Sequence, residues 1–243
     1  MSRGVAVVTG ASSGIGAASV RRLRAEGFEV VAGARRVEML REVCEPVGAR
    51  ALPLDVTDQA SVDGFVAQLD RCTVLVNNAG GALGFNHVEH AVDAEWRTMY
   101  ETNVLGLMRM TRALLPLLER EDPGHIVDVV STAGLDVYPD GGGYTAAKHA
   151  AHAVTKTLRL ELLGRPVRVT EIDPGLVETE FSVVRLGSAE AAAKVYAGMT
   201  PLTAEDVADV VAYVVTREKH VNIDQVVMRP LDQASSTMVH RRT

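Results

Sequence analysis

The chain has 243 residues, 47% of them hydrophobic and 23% charged, with a net charge of −6. A chain of this length buries roughly 70–75% of its unfolded surface and needs no disulfide or metal to fold. Its acid excess argues against nucleic acid or an anionic membrane as the main partner. Cys44 and Cys72 form no CxxC pair and are expected as reduced thiols in a cytoplasmic protein. The apolar run Val5–Val8 ends at Thr9-Gly10, too short for a signal peptide, and no stretch approaches the roughly 18 apolar residues that span a bilayer.

Short, Val- and Ile-rich runs alternate with longer helical patterns. Strands are expected near Val5–Thr9, Glu29–Ala34, Arg50–Leu54, Thr73–Asn77, His125–Ser131, Val167–Asp173 and Asp224–Met228. Their nearly continuous apolar character is that of parallel strands buried on both faces. Helices are expected over Gly14–Glu26, Val37–Pro46, Ser61–Asp70, Glu95–Arg120, Tyr144–Leu163 and Ala204–Thr216. The alternation implies right-handed βαβ crossovers and an α/β, doubly wound Rossmann-type domain with a seven-stranded parallel sheet and helices on both faces. No Pro/Gly/Ser-rich linker splits the chain, so residues 1–243 read as a single domain. The stretch from Val177 to Pro201 breaks the rhythm and is too long for an ordinary connection. Such insertions are often lids or binding loops.

The first strand–helix junction reads Thr9-Gly10-Ala11-Ser12-Ser13-Gly14-Ile15-Gly16. A dinucleotide pyrophosphate needs close backbone approach, free N–H groups and a positive helix end, and glycines at 10, 14 and 16 allow them. The end of the second strand selects the nucleotide. A carboxylate there would bind a ribose diol. Here Ala34 holds that position and Arg35-Arg36 follows, a pair suited to gripping a 2′-phosphate. The alternative for these arginines is a solvated helix start. Asp55, after the third strand, is placed to accept from an adenine amino group or to cap a helix.

Asn77-Asn78-Ala79-Gly80 and Ser131 end strands on the sheet edge where ligands bind in open α/β folds. Tyr144 and Lys148 lie four apart on an expected helix and share a face. A nearby ammonium would lower the tyrosine's ordinary pKa of about 10 and let it exchange a proton with a hydroxyl or carbonyl. Ser131 could hold the carbonyl oxygen, and Asn103 could support a water leading to Lys148. The chain has 21 Arg and only 4 Lys, so a lysine at this position is a selective choice.

These pieces, with Asp55-Val56 and Pro174-Gly175, resemble the short-chain dehydrogenase/reductase family over essentially the whole chain. The resemblance implies an NADP(H)-dependent oxidoreductase with Asn103, Ser131, Tyr144 and Lys148 as its catalytic tetrad. It implies that Gly10, Ser12, Ser13, Gly14, Ile15 and Gly16 hold the pyrophosphate side and that Arg35 and Arg36 mark the NADP type. Asp55, Val56, Asn78, Ala79 and Gly80 would flank the adenosine half. Tyr144, Lys148 and the segment with Pro174, Gly175, Val177 and Thr179 would line the nicotinamide. It also implies a homotetramer built through the two long helices.

Nearer the C-terminus, Thr179–Arg185, Leu202–Val207 and His220–Ile223 are similar to bacterial NADP-dependent 3-hydroxy acid dehydrogenases. The core also resembles clavaldehyde-type reductases of antibiotic biosynthesis. The resemblance thus implies a small hydroxy or carbonyl substrate, with a 3-hydroxy acid as the candidate. The alternatives are a larger biosynthetic ketone or aldehyde and, from another class, a non-catalytic NADP-sensing protein. Arg185 lies in the lid and is the expected partner of a substrate carboxylate, against the alternative of a solvated loop arginine. His87/His90 and His149/His152 have no third ligand at convincing spacing, and no metal is expected. Asp128 stands where the family often has Asn, and a buried carboxylate there needs a partner.

Overall fold

The computed structural model describes residues 2–242. Seven strands form one sheet: β1 Val5–Thr9, β2 Glu29–Ala34, β3 Arg50–Pro53, β4 Val74–Asn77, β5 Gly124–Val129, β6 Val167–Pro174 and β7 Gln225–Met228. Their order is β3-β2-β1-β4-β5-β6-β7, and every pairing is parallel. Strand order therefore reverses between β1 and β4, and a crevice opens at the carboxyl ends of these strands.

The two-residue period of β1 sorts its side chains onto opposite faces. Ala6 and Val8 point to one core, with Val20 and Leu23 of α1 (Gly14–Ala25), Leu40 of α2 (Val37–Cys44) and Val207 and Val211 of α9 (Ala204–Val215). Val7 points to the other, with Phe65 of α3 (Gln59–Val66) and Met110, Leu114 and Leu118 of α5 (Gly106–Leu118). Each β1 side chain named here is fully buried.

The structure refines several expected elements. The third helix starts at Gln59 because Asp58 accepts from the backbone N–H groups of Ala60 and Ser61. The expected helix over Glu95–Arg120 divides into α4 (Asp93–Tyr100), a π-helical turn (Glu101–Leu105) and α5. In the π turn the Gly106 N–H donates to Glu101, five residues back. The tyrosine-bearing helix, α6, spans Gly142–Glu161.

The lid is largely helical, which its length alone does not suggest. Thr179 caps α7 (Glu180–Leu186) and Ser188 caps α8 (Ala189–Tyr196), each through its hydroxyl. Its two ends meet in a bridge between Val177 and Leu202. Inside it, Tyr196 donates to the Val177 carbonyl (2.8 Å) and shares a 2.6 Å hydrogen bond with Ser182. No described helix is long and apolar enough to cross a membrane.

Candidate active site

The glycine turn leaves β1 and enters α1. Gly10 and Gly14 take positive φ angles of 65° and 53°, a region that penalises side chains. A Cβ at Gly10 would lie 2.7 Å from Ala79 Cα, and one at Gly16 would run into the Gly10 carbonyl oxygen. The turn is locked against the end of β4. Thr9 Oγ1 accepts from the N–H groups of Asn78 and Ala79, each at 3.0 Å, and Asn78 Nδ2 donates to the carbonyls of Thr9 and Gly10. Asn78 and Ala79 thus brace the turn. No acid lies in the first turn of α1, and Ser13 makes no side-chain cap bond there. With no acid of its own in that turn and with backbone free to approach a ligand, this cradle fits a pyrophosphate.

Beside it, Arg36 donates from Nε to Ser12 Oγ (3.2 Å) and from Nη2 to Ser13 Oγ (2.7 Å). Its Nη1 pairs with Glu180 at 3.0 Å. Arg35 is exposed, and its charge helps hold the Asp55 carboxyl below the usual range: burial alone would raise that group, but two hydrogen bonds from Thr57 and Arg35 outweigh it. Val56 packs under Gly106, and its carbonyl accepts from Arg109.

The remaining candidates converge on the same edge. Tyr144 and Lys148 project from α6, both buried. The Lys148 Nζ lies 5.8 Å from the Tyr144 ring centre and donates to the Val129 carbonyl (3.2 Å). Ser131 follows β5, accepts from the Ala133 N–H and approaches the Pro174 carbonyl. Asn103 sits in the π turn, where its Nδ2 donates to the carbonyls of Met99 (2.7 Å) and Gly81 (2.9 Å) and its Oδ1 accepts from the Gly81 N–H. This side chain ties α4 to the segment after β4, close to Lys148: a Cβ on Gly80 would touch both Asn103 Oδ1 and Lys148 Nζ.

The electrostatics correct one expectation. The Tyr144 hydroxyl is not lowered. Burial, then Tyr138, push it above its ordinary value, against smaller opposing effects of Ser131 and Arg185. Lys148 shifts down to about 8, again through burial, with Asp173, Glu171 and Asp128 resisting the change.

These three carboxyls form a layer that sequence spacing does not reveal. Asp128 of β5 stands beside Glu171 in register, and Asp173 follows on the same face of β6. Asp128 accepts from Asn77 (2.9 Å) and Thr155 (2.7 Å), the partners its burial requires, and is pushed up to about 6 by that burial. Burial, then the charge of Asp173, pushes Glu171 up as well. His152 Nδ1 lies 2.7 Å from Glu171, so this histidine serves the layer, while His149 bonds the Thr145 carbonyl.

The segment after β6 closes the site. The Gly175 N–H donates to Met228, and Gln233 Oε1 accepts from Leu176. Val177 enters the lid bridge, and Thr179 lies against Gly14. From α7, Phe181 places its ring 5.5 Å from that of Tyr144. Arg185 is partly buried rather than solvated. Its guanidinium lies 4.9–5.6 Å from the rings of Phe85, Tyr144 and Tyr138 and donates to Tyr138 Oη (2.9 Å) and the Gly84 carbonyl. Arg185 and Tyr144 line one cleft with Leu83, Trp96 and Met99. Phe85, Tyr138 and Glu180 escape sequence reasoning. Only Glu180 carries a local signal, an acid directly after the capping Thr179.

The model of the short chain dehydrogenase family matches residues 4–186. An uncharacterized oxidoreductase of Mycobacterium tuberculosis (strain CDC 1551) is 57% identical over 96% of this chain and 93% of its own. The NADP-dependent 3-hydroxy acid dehydrogenase of Salmonella typhi is 42% identical over 98% of this chain and 99% of its own. Among solved structures, a closed form of serine dehydrogenase complexed with NADP+ superposes with a TM-score of 0.92 at 40% identity, covering 98% and 100% of the two chains. With the turn, the tyrosine–lysine pair and the parallel sheet in one arrangement, the chain belongs to the short chain dehydrogenase family.

Proposed function

We propose that this protein is an NADP(H)-dependent oxidoreductase acting on a small 3-hydroxy acid and on the matching carbonyl compound. The observation that carries the reading is the convergence of Ser131, Tyr144, Lys148 and Arg185 on the crevice that the glycine turn opens. The glycine turn with Ser12 and Ser13 would hold the pyrophosphate side, Arg35 and Arg36 the 2′-phosphate, and the segment Pro174–Thr179 the nicotinamide end. When bound, the nicotinamide supplies or takes the hydride.

The chain's own groups manage the oxygen and its proton. In the reducing direction, Ser131 donates a hydrogen bond to the substrate carbonyl oxygen and Tyr144 delivers the proton to it. A buried hydroxyl with a raised pKa keeps that proton until the oxygen becomes basic. The Lys148 charge then stabilises the tyrosinate. In the oxidising direction the same proton returns to Tyr144. Asn103 holds the π turn and the strand-end segment in place around Lys148.

Arg185 gives the substrate its acid group. No carboxylate of the described residues lies within ion-pair distance of it. It sits over the Tyr144 ring, so a carboxylate one methylene removed from the carbinol reaches both side chains. Three aromatic rings flank the guanidinium and hold it in place at the cleft. The two buried thiols, Cys44 and Cys72, fit a reducing cytoplasm. Exposed Tyr100 at the end of α4, Leu160 near the end of α6 and Leu163 just beyond it fit burial in a homotetramer.

Initial rates of nicotinamide absorbance test the reading, with NADP+ against NAD+ over L-serine, allo-threonine, 3-hydroxyisobutyrate and simple secondary alcohols. The expected result is turnover of the hydroxy acids with NADP+, a loss of about 10²–10⁴-fold in Tyr144→Phe, and a raised KM for the acids in Arg185→Ala. An unchanged KM in Arg185→Ala removes the carboxylate assignment. Silence on every acid, with reduction of bulky ketones or aldehydes, moves the substrate to the biosynthetic class.

A further inference from the structure

The lid places a carboxylate on the donors that a nucleotide phosphate needs. Glu180 opens α7 and pairs with Arg36 Nη1 at 3.0 Å. The same guanidinium reaches Ser12 and Ser13 through its other nitrogens. Hydrogen bonds from Ser13, then Arg36, hold the Glu180 carboxyl below its ordinary range. The neighbouring Arg35, by contrast, enters no ion pair among the described residues and faces Asp55.

We propose that Glu180 is a specificity-determining residue: an internal anion, paired with Arg36 beside Ser12 and Ser13, that the cofactor's 2′-phosphate must displace. The inference rests on the cofactor reading above and adds what that reading lacks, a link between the phosphate corner and the lid. A phosphate that grips Arg36 through Nη1 competes with the Glu180 carboxylate for that nitrogen, since Nε and Nη2 are already turned to Ser12 and Ser13. Their charges also repel across a short gap, in a place half open to solvent. Binding of the 2′-phosphate therefore takes Arg36 from Glu180 and frees the first turn of α7. That turn is the part of the lid lying against Gly14 through Thr179, and it carries Phe181 to the Tyr144 ring. A nucleotide without the 2′-phosphate leaves the pair closed.

The test uses calorimetry on the whole protein with two probes, adenosine 2′,5′-bisphosphate and adenosine 5′-monophosphate. In Glu180→Gln the bisphosphate is expected to bind about two- to fivefold more tightly, the size of one exposed ion pair. The monophosphate should bind as before. The gain should shrink in high salt. Hydrogen exchange supplies the second readout: in the wild type the bisphosphate, and not the monophosphate, should speed exchange of the amides in Glu180–Leu186. A variant that merely loosens the lid changes both ligands alike. Equal tightening of both probes, or weaker binding of the bisphosphate, overturns the proposal while leaving the cofactor reading intact. If the wild type binds the two probes equally well, both the NADP preference and this inference fall.

Discussion

The glycine turn and the charged layer beneath Lys148 lie on one sheet edge and are held by opposite means. The turn is made of backbone. Its shape depends on missing side chains, on two left-handed glycines and on Thr9 and Asn78 tying main chain to main chain. The layer is made of side chains. Asp128, Glu171 and Asp173 lie buried among Asn77, Thr155, His152 and Lys148, and the charge states of Asp128, Glu171 and Lys148 depend on burial and on their neighbours. The contrast teaches that the turn is sensitive to volume and the layer to protons. A methyl group should ruin the first, whereas an isosteric change of charge should alter how the second responds to pH.

Gly16→Ala is the sharpest way to break the comparison. Its Cβ would overlap the Gly10 carbonyl and crowd Asn78 Nδ2 and Ala11 Cα, all parts of the locked turn. Overpacking against backbone is expected to cost about 1–3 kcal/mol in a denaturant titration, together with loss of dinucleotide binding in calorimetry. Normal binding in this variant would mean that the turn yields, and the contrast would collapse.

Lys148 sharpens the other side. Its pKa, lowered by burial to about 8, leaves it charged at neutral pH and neutral above. Activity that depends on the ammonium should therefore decline as pH rises through about 8, and Lys148→Met should lose most activity at every pH. Stability moves the opposite way. The unfolded lysine, with a pKa near about 10.4, holds its proton between pH 8 and 10 while the folded one releases it. The wild type should gain stability over that window relative to Lys148→Met. Denaturation midpoints at pH 7 and pH 9.5 give the sign.

The smallest effect belongs to Asp128→Asn. The folded carboxyl titrates near 6, above its unfolded value, so its burial costs stability as pH rises from about 4 to 6. Asparagine keeps an acceptor for Asn77 and offers an amide to Thr155, whose hydroxyl also donates to Ala151. The variant should be more stable at pH 7 by about 1 kcal/mol, with the gain fading below pH 4. A loss of stability at pH 7 would mean that the layer needs its net charge.

The same contrast governs what could be read from residues in a row. Gly10, Gly14 and Gly16 form a contiguous turn whose chemistry is local, and the strands around it show as apolar runs. Tyr144 and Lys148 share a helical face by spacing alone. The charged layer joins β5, β6 and α6: His152 and Glu171 lie 19 positions apart, Asp128 and Thr155 27, and only the sheet register brings Asp128 beside Glu171, 43 positions on. Asp128 announced its need for a partner but not the partner's identity. The lid helices are seven and eight residues long, too short to show a clear period; their local signs are the caps Thr179 and Ser188, Gly187 after α7 and the alanine run of α8. The π turn around Asn103 sits inside an otherwise continuous helical pattern, so periodicity passes over it. The Arg36–Glu180 pair spans 144 positions and belongs to tertiary structure alone.

The bridge between Val177 and Leu202 has a further consequence. The segment between β6 and α9 begins and ends at neighbouring points, with Tyr196 and Ser182 fastening its interior. Such a segment is a cassette. Closing a longer or shorter one between the same two anchors changes the entropy of loop closure only slowly with length. The seven strands, the glycine turn and the tyrosine–lysine pair lie outside it. Under the function proposed above, new specificities can therefore be grafted at this point by exchange of one module, provided that the module keeps its contacts to Arg36 and Tyr144.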